Sequence, residues 1–342
     1  MCKKYNIKYV IFISLIVASI MNVLIINVSN FTFMKYCWLI NGVAMSFLWT
    51  SLIRLLSETL EKKDISKAVI VMGTTVASGT FLVYGLSALF VAFISFKVIF
   101  YLAAIIMSVI SIVWLISFNK LVIPLQNERI VENSVEESKV VKNGKIFSTL
   151  FIVLASFAIA NNFIKDGLTA WTPDILSSIY DTPGWLSILL TVVLPLLAIF
   201  GTVVAVKIDK ITKNSTRTCV VLFAASFLLI GIVLLMISKS LVITLVSFAF
   251  ISCLMAGVNN VITSMIPLKM KDEVNSGMLA GLLNGFCYLG STVSSFGLGL
   301  IADNYSWISV FYVLFVICLI VILIGLSYLV SKKRRCKNEK FM

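Results

Sequence analysis

The sequence predicts an all-α polytopic membrane protein of about ten transmembrane helices, four before a cytoplasmic linker and six after it. Three observations predict this class. Hydrophobic residues make up 60% of the 342-residue chain and charged residues only 13%, a balance that a water-soluble surface does not tolerate. The apolar residues gather into runs long enough to cross about 30 Å of hydrocarbon. The basic residues gather between those runs, and on alternate sides.

In chain order the runs lie near 8–28, 36–58, 67–90, 96–118, 147–173, 184–206, 217–238, 239–266, 277–300 and 305–331. The boundary near Ser238–Leu241 is the least marked, with Lys239 and two serines forming the turn. Between the fourth and fifth runs, residues 119–146 are polar and charged, with Gln126-Asn127-Glu128-Arg129 followed by Glu136-Glu137-Ser138-Lys139. This reads as a cytoplasmic linker, and Pro124 is expected to close the helix before it. The expected organisation is a four-helix bundle at 1–118, the linker, a six-helix bundle at 147–331 and a basic tail at 332–342. With both termini in the cytoplasm, the inner connections hold 23 of the 28 lysines and arginines and the outer ones hold Lys35, Lys97 and Lys239. Arg54 and Lys165 fall within spans. Such a bias fixes the orientation, and the +13 net charge then answers to the membrane, not to nucleic acid.

The absences narrow the chemistry. With no histidine in the chain, histidine triads and imidazole relays are excluded. The seven cysteines show no CxxC pair or zinc spacing, so neither a metal nor a cofactor is expected. The spans offer no pair of carboxylates for acid–base work, and an enzyme is not expected.

The fifth run carries the strongest functional signal. Lys165 and Asp166 are its only charges up to Pro173, and a lysine well inside a span costs several kcal/mol unless it is paired or faces water. Asn161, Lys165, Thr169 and Thr172 share one helix face, and Asp166 lies about 100° round, beside Asn162. This stripe is the expected contact for a small anionic solute. The alternative is a structural Lys165–Asp166 pair, or a lysine reaching outward along the span. Asn259, Asn260 and Asn284 are further polar groups within spans, read either as cavity lining or as interhelical hydrogen-bond glue. Arg54 is read as a gating residue or as an interface anchor paired with Glu58.

The segment Lys165, Gly167, Trp171, Thr172, Pro173 resembles the seventh span of the organophosphate:phosphate antiporters, a branch of the major facilitator superfamily. In that branch a basic residue is followed by x-Gly-x-x-x-Trp-[Ser/Thr]-Pro, and an arginine in the basic position binds phosphate. Lysine stands there in this chain, a point charge in place of a bidentate fork. Trp38-Leu39-Ile40-Asn41-Gly42 with Trp49 and Arg54 resembles helix four of the same branch, with Thr50 and Ser51 where that motif has two prolines. Asn284-Gly285-Phe286 through Ser291, with Gly299 to Asp303, resembles helix eleven. Asp209 and Lys210 match the acidic–basic pair of the superfamily's inner loop, whose charge pairs are gating contacts. An internal repeat agrees, Thr50-Ser51-Leu52-Ile53-Arg54-Leu55 paralleling Thr263-Ser264-Met265-Ile266-Pro267-Leu268. The glycine-rich spans that follow the two segments are then expected to be equivalent packing helices. On this alignment the four leading spans correspond to helices three to six of a twelve-helix fold, and its first two helices are absent from the sequence.

The resemblance implies a major-facilitator-type two-bundle fold and a secondary transporter of a small anionic metabolite, organic phosphate or sugar acid, working by alternating access as a monomer in the cell membrane. Lys165, Asn161, Asp166, Thr169, Asn259 and Asn284 are the expected substrate contacts, with Asp209, Lys210 and Arg54 as gating residues. The rival reading is a membrane solute sensor related to such carriers, or a nonfunctional fragment.

Overall fold

The computed structural model describes residues 6–61, 63–95, 97–133 and 149–338, and every regular element in them is helical. The elements are α1 (Ile7–Asn27), α2 (Phe31–Thr59), α3 (Ile65–Phe93), α4 (Lys97–Asn133), α5 (Thr149–Tyr180), α6 (Gly184–Thr191), α7 (Val193–Thr212), α8 (Ser215–Met236), α9 (Leu241–Asn260), α10 (Ile266–Lys269), α11 (Ser276–Asn304) and α12 (Trp307–Asn338). A π-helical turn, Val261–Met265, joins α9 to α10. Among the described residues, ten stretches are long and apolar enough to cross a membrane, with α6 and α7 forming one and α9 to α10 another. The predicted class and number of spans therefore hold. Large apolar side chains such as Val71, Phe200, Leu228, Leu235, Val242 and Phe296 are exposed, as they are in helices that face lipid.

Asparagine and serine set several boundaries. Asn6, Asn30, Asn214 and Ser240 each accept a backbone N–H at the start of α1, α2, α8 and α9. Asn30 starts α2 five residues before the apolar run does, and Lys35 lies over the Phe31 ring at 4.6 Å. The turn between α8 and α9 falls at the weakly marked Lys239, where Ser240 is the cap.

The prolines depart from expectation. Pro124 does not close the fourth helix: α4 runs on to Asn133, through the first half of the expected linker, and 134–146 lie outside the described residues. Proline forfeits one hydrogen bond but does not end a helix whose other turns are satisfied. Pro173 likewise sits inside α5, which extends to Tyr180. Pro195 does interrupt its span, because the Thr191 carbonyl loses its i+4 donor and α6 gives way to α7 across Val192. Pro267 explains the π turn. Its ring would strike the Thr263 carbonyl in α geometry, and the wider turn, closed by Ile266 N–H to Val261 O, relieves the collision. The two segments of the internal repeat therefore differ in backbone, regular in α2 and π-helical after α9.

Packing divides the chain into two units. The first comprises Met1–Ile65, Gly85–Asn143 and Pro267–Gly281; the second comprises Ser66–Tyr84, Gly144–Ile266 and Leu282–Met342. The linker-based organisation assigns Ser66–Tyr84 and Pro267–Gly281 the other way. In the first unit α1 lies between α2 and α4, over a core of Ile7, Ile11, Leu15, Leu55 and Phe118. Ser19 Oγ donates to Ala104 O at 2.7 Å, and Trp114 Nε1 donates to Lys8 O at 3.1 Å, so α1 and α4 run antiparallel. Lys271 Nζ donates to Leu60 O at 2.7 Å, at the C-terminal end of α2, and Gly277 and Gly281 face Arg54 and Thr50. These contacts join Pro267–Gly281 to α2.

The second unit is organised round α5 and α9, the most enclosed of the ten spans. The Phe157–Phe223 and Phe248–Phe311 ring pairs fill its interior, and the half-buried Phe227 and Phe315 stack on one another. Asn260 Nδ2 donates to Val69 O at 2.6 Å and to Thr202 Oγ1 at 3.0 Å, and Gly73 leaves room for both side chains. That knot holds Ser66–Tyr84 in this unit. Of the expected packing glycines, Gly73, Gly277, Gly281 and Gly290 stand at close contacts, whereas Gly79, Gly85 and Gly285 face open space.

A close backbone approach joins α7 to α9. A Cβ on Gly201 would land on the Cys253 carbonyl, and one on Gly257 would reach Gly201 O and Ala205 Cβ. Water-driven burial does not pull helices together in lipid, so such approach is what holds the pair. Gly201→Leu is expected to cost about 2–3 kcal/mol, the upper range for overpacking, because backbone atoms cannot move aside. Gly42→Ala, with nothing within 4 Å, is expected to leave thermal unfolding in detergent unchanged or slightly raised.

Candidate functional site

The charged pair of α5 sits half-way along the helix, in the second unit. Lys165 Nζ lies 3.2 Å from Asp166 Oδ1, with the lysine side chain 22% exposed and the aspartate 33%. The structural pair left open by the sequence therefore forms. Neither side chain of the pair is fully enclosed by the protein.

Asp166 is the better held of the two. Its Oδ2 accepts from Asn162 Nδ2 at 2.9 Å, one turn back, and from Ser291 Oγ of α11. A carboxylate only accepts, so Asn162 must turn its Nδ2 towards it and its Oδ1 away. Asn162 Oδ1 then accepts from Asn161 Nδ2 at 2.9 Å, which also reaches Asn259 Oδ1 of α9 at 3.4 Å. Cys287 of α11 completes the cluster, with its thiol 3.6 Å from Asn259 Oδ1. The orientation of every amide follows from the carboxylate at the end of the row. Asn161 is wholly buried, and its Oδ1 is left without a partner.

The structure places the predicted stripe unevenly. Asn161 and Thr172 are fully enclosed, whereas Lys165 and Thr169 are half-buried. Both threonines donate back to their own helix, Thr169 Oγ1 to Lys165 O at 2.8 Å and Thr172 Oγ1 to Leu168 O at 2.6 Å, which leaves their oxygens only as acceptors. Asn259 joins the cluster; its neighbour Asn260, about 100° round the helix, belongs to the α3 knot instead. Asn284 lies half-buried on α11, on the face that also carries Cys287 and Ser291. Sequence reasoning missed Ser291 and Cys287. Their signal was spacing, since 284, 287 and 291 repeat at three and four residues.

The expected gating residues lie on α7 and α2. Asp209 is buried near the end of α7, accepting from Ser215 Oγ at 2.8 Å and Thr218 Oγ1 at 3.3 Å in the first turn of α8. A carboxylate there meets the positive end of the α8 dipole. Lys210 is exposed in the last turn of α7. Arg54 is in the first unit, paired with Glu58 at 2.8 Å one turn along α2. Gly299 makes room for the Trp171 ring, which packs 5.7 Å from that of Trp307.

Comparison with known proteins bears on the whole chain. The sequence profile of the Major Facilitator Superfamily matches residues 1–294. Among solved structures, the major facilitator proton:xylose symporter XylE bound to 6-bromo-6-deoxy-D-glucose is similar at a TM-score of 0.67, covering 95% of this chain and 80% of that one. At 11% sequence identity this is a likeness of fold. No curated protein matches the chain. With ten helices of spanning length among the described residues and most of the sequence within the family profile, the chain belongs to the Major Facilitator Superfamily.

Proposed function

We propose that the protein is a secondary transporter of a small anionic metabolite, of organic-phosphate or sugar-acid type, which it carries by alternating access and exchanges against a second anion. One observation carries this reading: the half-buried ammonium of Lys165, in the middle of the most enclosed helices, has a single carboxylate partner that other groups already hold. An ammonium has three donors, so one is committed to Asp166 and the others serve an incoming anion. Asn161, Asn259, Asn284 and Thr169 supply polar lining beside it. Asp209, Lys210 and Arg54 are gate residues in this reading, acting at the inner ends of their helices. The carrier is a monomer in the cell membrane, with both termini cytoplasmic on the strength of the basic inner connections.

Ligand-dependent thermal stabilisation of the purified protein tests the reading. Lys165→Gln keeps length and helix propensity. It is expected to weaken binding of the stabilising anion by about 1.5–3 kcal/mol, the range for a charge-assisted hydrogen bond, or roughly ten- to a hundredfold. Lys165→Arg is expected to retain binding. Equal ligand stabilisation in wild type and Lys165→Gln, together with a stability loss that Asp166→Asn rescues, would leave Lys165 a structural partner only.

Orientation has its own test. Cysteines placed at the exposed Lys97 and Lys239 are expected to react with an impermeant thiol reagent only from outside the cell, and one at the exposed Lys210 only from within. Reaction of the first two from the cytoplasmic side would invert the topology.

A further inference from the structure

We propose that the site selects a singly charged, carboxylate-type anion over a dianionic phosphate ester, and that Asp166 sets the selection. The proposal rests on the reading of Lys165 as the anion contact.

Among the described residues, the charges at the site are one cation and one anion, 3.2 Å apart. Their surroundings are uncharged: Asn162 on α5, Asn259 on α9, and Cys287 and Ser291 on α11. These described residues together carry no net charge. An anion that docks on Lys165 does not drive Asp166 off, because Asn162 and Ser291 hold the other carboxylate oxygen through separate bonds. The ligand must then share the ammonium with a carboxylate that stays.

This arrangement penalises charge steeply. A monoanion brings the site to a net charge of −1, and a dianion brings it to −2 beside an immobile carboxylate. Attraction to Lys165 and repulsion from Asp166 both rise in proportion to the ligand's charge and largely offset, whereas the cost of drawing the ligand out of water grows as the square of that charge. A phosphate monoester carries close to two charges at neutral pH, a carboxylate one. The cation adds its own preference. Lysine offers a compact point charge that one carboxylate oxygen satisfies, without the planar fork that grips phosphate bidentately. Charge balance and donor geometry point to the same class, sugar acids and similar monocarboxylates.

The test compares gluconate with glucose 6-phosphate and with the methyl diester of glucose 6-phosphate, which keeps the phosphorus but carries one charge. Affinities are measured at pH 7.5 on the purified full chain, in wild type, Asp166→Asn and Lys165→Gln. Gluconate and the diester are expected to bind wild type at least tenfold more tightly than the monoester. Asp166→Asn is expected to close that gap to under threefold by tightening the dianion. A monoester that binds wild type as well as the two monoanions do, through a Lys165-dependent interaction, overturns the selection and leaves the anion site standing. An unchanged gap in Asp166→Asn removes Asp166 from it. Should Asp166→Asn not fold, the monoester-against-diester comparison in wild type decides alone. Affinities for all three that are indifferent to Lys165→Gln, or no binding of any by wild type, overturn this proposal together with the reading beneath it.

Discussion

One carboxylate orders the site. Asp166 takes donors from its own helix and from α11, and pairs with the adjoining Lys165. Because it accepts and never donates, it turns the amide of Asn162, which turns that of Asn161, which meets Asn259 on α9. Three helices thus read their mutual register from a single ionised group. In lipid such a row replaces the hydrophobic effect that would orient helices in water.

That row needs the helices close together, and glycine supplies the closeness. Gly290 of α11 lies against the Ile159 backbone two residues before Asn161, which brings the Ser291 hydroxyl within reach of Asp166. Gly201 and Gly257 do the same for α7 and α9, and so fix where Asn259 stands. A larger side chain at any of these points would separate the backbones and pull donors away from acceptors. Tyr180 ties the far end, its hydroxyl donating to Thr244 Oγ1 at 2.8 Å across from α5 to α9.

Much of the fold was legible because it depends on local quantities. Run length and hydropathy gave the ten spans, and charge asymmetry gave an orientation. The prolines were harder to read. Pro124 and Pro173 are passed over by their helices, Pro195 breaks one and Pro267 widens one, and those outcomes depend on what else satisfies the freed carbonyl. At the site, Lys165 and Asp166 stood out as charges in an apolar run. Ser291 did not, because a serine among many acquires meaning only through a contact 125 residues away along the chain. Asn259 and Asn260 look alike in sequence, yet one faces the amide cluster and the other caps a carbonyl of α3. Only the packing of neighbouring helices separates them.

The central claim is that the charge of Lys165, not its bulk, draws the substrate. It is tested most directly by chemical rescue of the Lys165→Cys protein, with wild type as the control for the native cysteines. Gluconate binding should be lost in the unmodified variant. It should return after disulfide attachment of an aminoethyl group, which rebuilds a side chain of near-lysine length with an ammonium at its end. A neutral ethyl group of similar size should not restore it. Equal recovery with both reagents, or full binding before either is added, would contradict the account.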